Sequence, residues 1–186
     1  MVLLSDIFPT GLECGVQNGK VEPGNTTAII GAGPVGLAAL MTSQMYSPSK
    51  VIVIDTDQQR LDVARTLGAT DVVNNGKQDA VAAVKSLTDG KGCDTVIEAV
   101  GIPATFELGQ DLLAPGGTLA NVGVHGTKVD LKLQNLWDKN IFSSGKLNPT
   151  TLVTHKFDFK NIEQAYETFG QASKTGALKV LIEMGN

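Results

Sequence analysis

The stretch TTAIIGAGPVGLAAL, residues 26–40, decides the fold. Its first five residues, Thr26–Ile30, are rich in β-branched and apolar types without alternation. That is the pattern of a strand covered on both faces. Gly31, Gly33 and Gly36 follow in G-x-G-x-x-G spacing, and a helix is predicted over residues 35–46, ended by Pro48. Each glycine answers a separate demand. Gly31 permits the tight turn from strand to helix, a side chain at Gly33 would keep the backbone away from a pyrophosphate, and Gly36 lets the helix lie close on the sheet. Pro34 and Val35 stand at the start of that helix, where free N–H groups and the positive dipole end would meet phosphate oxygens.

A lone glycine motif is weak, and its surroundings strengthen it. A second strand is predicted at residues 51–54, closed by Asp55, which lies 19 residues beyond Gly36. The acid that accepts hydrogen bonds from the adenosine ribose hydroxyls stands about 20 residues along in dinucleotide-binding folds. A carboxylate there repels a 2′-phosphate, so NAD is expected over NADP. The competing reading, that Asp55 merely caps the next helix, is met by Asp57, which is better placed for that task. Further elements follow in alternation: a helix to residue 67 with Gly68 as its stop, strand 71–73, helix 78–88, strand 95–100, a helix from Pro103 to residue 113, a turn at Pro115-Gly116-Gly117, and strand 118–124. The expected fold class is α/β, a doubly wound parallel sheet of the Rossmann type. The rhythm then falters. Residues 142–149 read as a loop, 161–172 as a helix and 177–183 as a last strand.

Composition narrows the function classes. The chain has 186 residues, 42% of them hydrophobic, a net charge of −4, and dispersed charges with no basic stripe. Nucleic acid and anionic membranes are therefore not expected partners, since both call for clustered Lys and Arg. No apolar run approaches a membrane span, and the start of the chain lacks a basic n-region and reaches Asp6 early. A soluble, cytoplasmic protein is expected. Cys14 and Cys93 form no CxxC pair and are expected as free thiols.

Six stretches extend the pattern: SDIFPTGLECGV (5–16), GAGPVGLAAL (31–40), VIVIDTDQQRLDVARTLGATDVVN (51–74), EAVGIPATFE (98–107), APGGTLANVGVHG (114–126) and LVTHKF (152–157). Together they resemble the coenzyme-binding half of zinc-dependent medium-chain alcohol dehydrogenases, in particular the bacterial branch acting on small secondary alcohols. The resemblance implies reversible hydride transfer between an alcohol or ketone and NAD(H), and homo-oligomers. It also implies roles for particular residues. Arg60 matches a basic residue after the ribose acid, while Val100-Gly101 and Val122-Gly123-Val124 match cofactor contacts at the ends of the fourth and fifth strands. Thr10 matches a threonine beside the nicotinamide. Lys179 matches a basic residue reaching the phosphates, although an ordinary exposed lysine reads as well there. Asp6 matches a zinc ligand that acts with a Cys and a His of a preceding catalytic domain. Catalytic zinc takes three protein ligands and keeps one position open.

The sequence departs from that family in two places. The preceding catalytic domain that the resemblance implies, with its Cys and His ligands, is expected to lie outside these 186 residues, and Cys14, His125 and His155 do not match ligand positions. WDKNI (137–141) runs directly into FSSGKLNP (142–149), where family members carry roughly 20 more residues, enough for a sixth strand and its helix. Loss of that strand would bare the edge of the fifth. The expected organisation is residues 1–24 as a remnant of the catalytic-domain junction, 25–142 as the dinucleotide-binding domain, and 143–186 as a short C-terminal helix and strand. The chain alone is expected to bind cofactor without turnover and without zinc. Two other readings stand beside this one. A nucleotide-sensing module would need neither Asp6 nor Thr10. A methyltransferase would fit neither the glycine spacing nor the APGG turn.

Overall fold

The computed structural model describes residues 5–139 and 149–184. Strands β1 (Thr26–Ile30), β2 (Lys50–Asp55), β3 (Asp71–Asn74), β4 (Cys93–Glu98) and β5 (Leu113–Asn121) form one parallel sheet in the order β3-β2-β1-β4-β5. The order reverses between β1 and β4. The crevice beyond the carboxyl ends of those strands is where open α/β sheets bind ligands. Helices α2 (Pro34–Ser43), α3 (Gln58–Thr66), α4 (Ala80–Leu87) and α5 (Pro103–Leu112) make the crossovers. This is the expected Rossmann-type α/β fold.

The core divides by strand alternation. Ile29, Val53 and Ile97 face one side, against Leu40 of α2, Leu61 of α3 and Val16. Ala28, Ile30, Ile52, Ile54 and Val96 face the other, against Val84 of α4 and Leu112 of α5. Neighbouring strand residues thus bury on opposite faces, which explains the continuous apolar runs. Each fully buried Ile, Leu or Val contributes roughly 1.5–3 kcal/mol over its exposed state.

Local signals act as read. Pro34 stands in the first turn of α2. The Asp57 side chain accepts from the N–H groups of Gln59 and Arg60, so Asp57 caps α3. Gly68 closes that helix with φ +104°. Asp79 caps α4 by accepting from Ala82 N–H.

Three features go beyond the sequence reading. Residues 7–17 are helical, as α1 (Ile7–Pro9) continued by a π-helical stretch (Thr10–Gln17). A Cβ on Gly11 would lie 2.7 Å from Ala39 N, so this segment rests flush on the backbone of α2. The predicted Pro115-Gly116-Gly117 turn is a bulge inside β5: Cys93 faces Leu113, whereas Thr95 faces Thr118. Pro115 has no N–H to give the ladder, and the extra residues loop out there. After β5, α6 (Leu133–Asp138) packs against α5. The predicted loop at 142–149 and the junction after Ile141 lie almost wholly outside the described residues, which resume at the Pro149–Leu152 turn.

The chain divides into two compact units, Met1–Ser144 and Gly145–Asn186. The second is a small β-α-β arrangement. Strand β6 (Val153–Asp158) pairs in parallel with β7 (Lys179–Glu183) through α7 (Ile162–Gly170) and α8 (Ala172–Thr175). Helix α7 and strand β7 match the expectation, and β6 was not foreseen. Ala165 is the buried contact of α7.

Candidate functional site

The glycine turn sits at the mouth of the crevice. Gly31 has φ +101°, and a Cβ there would meet Val100 Cγ2 at 2.7 Å. A Cβ on Gly36 would strike the carbonyl oxygen of Gly31. Gly33 differs: a Cβ there meets nothing within 4 Å, so the space over this residue is open. Leu37 N–H bonds to Gly33 O at 2.9 Å as α2 begins, and the N–H groups of the preceding turn have no helical acceptor.

Asp55 ends β2 beside this turn. Its Oδ2 accepts from Ala32 N–H at 2.7 Å, and its Oδ1 accepts from Asp57 N–H at 2.9 Å. The acid thereby ties the glycine turn to the β2–α3 turn, and it remains partly exposed. Arg60, on the first turn of α3, lies with Nε 3.7 Å from Asp57 Oδ2 and has a largely exposed side chain. A cleft of about 380 Å³ collects these groups: Gly31, Gly33, Asp55, Arg60, Val100 and Thr105 all line it.

The remaining predicted positions are placed as follows. Pro34, Val35 and Gly36 form the first turn of α2. Gly101 follows β4 with φ +89°, in close contact with the main chain of Val124. Val122, Gly123 and Val124 follow β5, where Val122 and Gly123 donate to the carbonyl of Glu98. Thr10 and Asp6 are joined: Thr10 Oγ1 donates to Asp6 Oδ1 at 3.0 Å. Lys179 belongs to the second unit, exposed at the start of β7.

Sequence reasoning passed over Glu98. It is fully buried, and its Oε1 accepts from Val100 N–H, Gly101 N–H and Thr105 Oγ1. An acid closing the otherwise apolar run TVIE was the available signal. His125, which matches no ligand position, lies with Nε2 3.6 Å from Glu98 Oε2 and sits edge-on to Phe106, with ring centroids 5.6 Å apart. Both cysteines are free, with Cys14 exposed and Cys93 buried. Burial pushes the Cys93 thiol up to about 12, with Asp94 adding to the rise and Lys139 opposing it.

A family model described as zinc-binding dehydrogenase matches residues 34–159. The chain belongs to the zinc-binding dehydrogenase family. It corresponds to the C-terminal, coenzyme-binding half of a zinc-type medium-chain alcohol dehydrogenase. An alcohol dehydrogenase of Cupriavidus necator is 33% identical over 205 residues, covering 98% of this chain and 56% of that protein. A sorbitol dehydrogenase of Bacillus subtilis is 30% identical over 198 residues, covering 96% of this chain and 56% of that protein. The solved structure of zinc dependent alcohol dehydrogenase 2 from Streptococcus pneumonia, in its apo form, superposes with TM-score 0.70 at 44% identity. It covers 97% of this chain, and this chain covers 58% of it. The chain thus spans little more than half the length of these relatives. The stretch aligned with the Cupriavidus protein is longer than the 186 residues of this chain, so that relative carries residues inside the matched span that this chain lacks.

The zinc-binding dehydrogenase family implies two groups, a dinucleotide and zinc. The open space over Gly33, the N-terminus of α2 and the Asp55 carboxylate in one cleft fit a dinucleotide. Zinc is different. No three His, Cys, Asp or Glu side chains converge among the described residues, and Asp6 is bonded to Thr10. These residues alone do not make a three-ligand catalytic set. No helix among the described residues is long and apolar enough to cross a membrane.

Proposed function

We propose that this chain is the NAD(H)-binding part of a zinc-assisted alcohol dehydrogenase that acts reversibly on a small, secondary alcohol in the cytoplasm as a homo-oligomer. The observation that carries the reading is the joint placement of Gly31, Gly33, Asp55 and Arg60 around one cleft at the β1–β4 crevice. The residues Gly31 to Gly36 and the start of α2 would hold the pyrophosphate. Asp55, with lone pairs left beyond its two backbone bonds, would hold the adenosine ribose and repel a 2′-phosphate. Arg60 would border the adenosine, and Val100-Gly101 with Val122-Gly123-Val124 would border the nicotinamide half. Thr10 would stand beside the nicotinamide, and Asp6 would join the zinc ligands of a complete enzyme. When bound, the nicotinamide supplies the hydride acceptor or donor. This chain alone binds without turnover, because groups that position and polarise the alcohol are needed for chemistry.

The test is calorimetric titration of the purified chain with NAD⁺ and NADP⁺, with metal content read on the same sample. Binding of NAD⁺ and not NADP⁺, without stoichiometric zinc and without alcohol-dependent NADH formation, is expected. Gly33→Val is the decisive variant. Gly33 has φ −76°, which any residue adopts, and open space at its Cβ. The variant should fold with unchanged stability and lose NAD⁺. If Gly33→Val binds NAD⁺ as well as the wild-type chain, the cofactor does not lie over this turn.

A further inference from the structure

Glu98 closes β4 and is buried completely. Three donors converge on its Oε1: Val100 N–H at 2.9 Å, Gly101 N–H at 2.9 Å and Thr105 Oγ1 at 2.8 Å. Its main-chain carbonyl accepts from Val122 N–H at 2.8 Å and Gly123 N–H at 3.0 Å. One residue therefore fastens two turns, the one leaving β4 and the one leaving β5. The fit between them is close. A Cβ on Gly123 would strike Gly101 N and Glu98 Oε2, and a Cβ on Gly101 would meet Val124 O at 2.6 Å. Glu98 Oε2 has no hydrogen-bond partner among the described residues and faces His125 Nε2 at 3.6 Å. His125 Nε2 pairs with Asn121 Oδ1 at 2.8 Å, which anchors the ring to the end of β5.

A buried carboxylate is costly unless donors or a partner charge meet it. At the end of a parallel strand, an apolar residue would fill this place at lower cost. An acid here makes sense through what it holds. Both turns it holds, 99–101 and 122–124, lie at the carboxyl ends of their strands, where ligands bind in such sheets.

We propose that Glu98 is a positioning residue for cofactor binding. It sets the spacing of the β4 and β5 turns that flank the nicotinamide half, and it does not touch the cofactor itself. The inference rests on the NAD(H) reading above. The adenosine half is served by Asp55 and Arg60 at the other side of the crevice, so the two halves can be probed apart with NAD⁺ and ADP.

The experiment measures binding of NAD⁺ and of ADP to wild-type, Glu98→Ala, Glu98→Gln and Glu98→Asp chains, with a thermal melt of each. Glu98→Ala should lose NAD⁺ affinity about tenfold or more, the equivalent of about 1.4 kcal/mol, while ADP changes by no more than about threefold. Glu98→Gln keeps an acceptor oxygen for the three donors and should restore NAD⁺ to within about threefold of wild type. Glu98→Asp keeps the charge but is one methylene short, and should repeat the selective loss. If Glu98→Ala does not fold, the Gln and Asp variants carry the comparison. Equal losses for both ligands, no loss for either, or equal NAD⁺ affinity in the Gln and Asp variants would overturn the positioning role. A wild-type chain that binds ADP but not NAD⁺, or neither, would instead sink the cofactor reading on which it stands.

Discussion

At the scale of single residues, Asp55 carries more than the ribose contact its spacing suggests. Its two oxygens hold Ala32 N–H and Asp57 N–H, so Asp55→Gly removes a brace as well as a ribose acceptor. The variant should lose its preference for NAD⁺ over NADP⁺ and also about 1–3 kcal/mol of stability, the usual net contribution of two hydrogen bonds. Calorimetry and urea denaturation check the two parts separately, and an unchanged NAD⁺/NADP⁺ ratio would remove Asp55 from the ribose. Cys93 gives a pH-dependent counterpart. Its folded-state pKa is pushed up to about 12 from 9.0. Between those values the unfolded thiol ionises while the folded one keeps its proton, so this group draws stability down as pH rises through the window. Burial lowers the amine pKa of Lys139, and that group acts in the opposite direction. The contribution of Cys93 is therefore read as a difference. Between pH 9 and 12, wild type should lose stability more steeply than Cys93→Ala. Native chains should also release one thiol equivalent to a disulfide reagent, from Cys14, and unfolded chains two. Parallel pH profiles in wild type and variant would show that the burial of Cys93 does not govern this window.

At the scale of elements, the five-stranded sheet and its crossover helices were legible because they announce themselves locally. Thr26–Ile30 and Lys50–Asp55 are short apolar runs between turn residues, and Pro34, Asp57, Asp79 and Gly68 mark helix ends by their own chemistry. What escaped notice depends on distant partners. Strand β6 alternates half-buried and exposed residues over only six positions, and nothing in VTHKFD announces that β7 will pair with it. The 7–17 helical segment contains Pro9, Gly11 and Gly15, which argue locally against a helix. Packing reverses that argument, since those glycines let the segment lie on α2 and β4. Glu98 is a mixed case: its side-chain donors Val100, Gly101 and Thr105 follow closely in sequence, but its main-chain bonds to Val122 and Gly123 exist only once the sheet sets β5 beside β4. The cap on α3 is a local matter and can be tested as one. Asp57→Ala should cost about 1 kcal/mol, the typical loss of an N-cap side chain, with little added by the exposed Arg60 pair. A denaturation midpoint equal to wild type would mean that the cap bonds to Gln59 and Arg60 contribute nothing net.

At the scale of the whole chain, the sheet of the first unit ends at β5 among the described residues. Among the described residues no strand pairs with the outer side of β5, and Thr118 and Leu119 there are only half-buried, unlike the fully covered Val96 and Ile97 of β4. The aligned relative carries residues inside the matched span that this chain does not have. A parallel sheet has both faces covered, and an exposed apolar edge can recruit another strand. The described part of the first unit also exposes Val124, Leu131 and Leu133 in the segment after β5. With a net charge of only −4, long-range repulsion between copies is weak at ordinary salt. The chain should therefore associate with itself as concentration rises through the micromolar range. Sedimentation velocity gives the measurement. A sedimentation coefficient that climbs with concentration is expected, and it should fall back toward the monomer value in a variant with a lysine in place of exposed Asn121 at the end of β5. A single monomeric species at every concentration would mean that the outer edge of β5 is already covered within one chain.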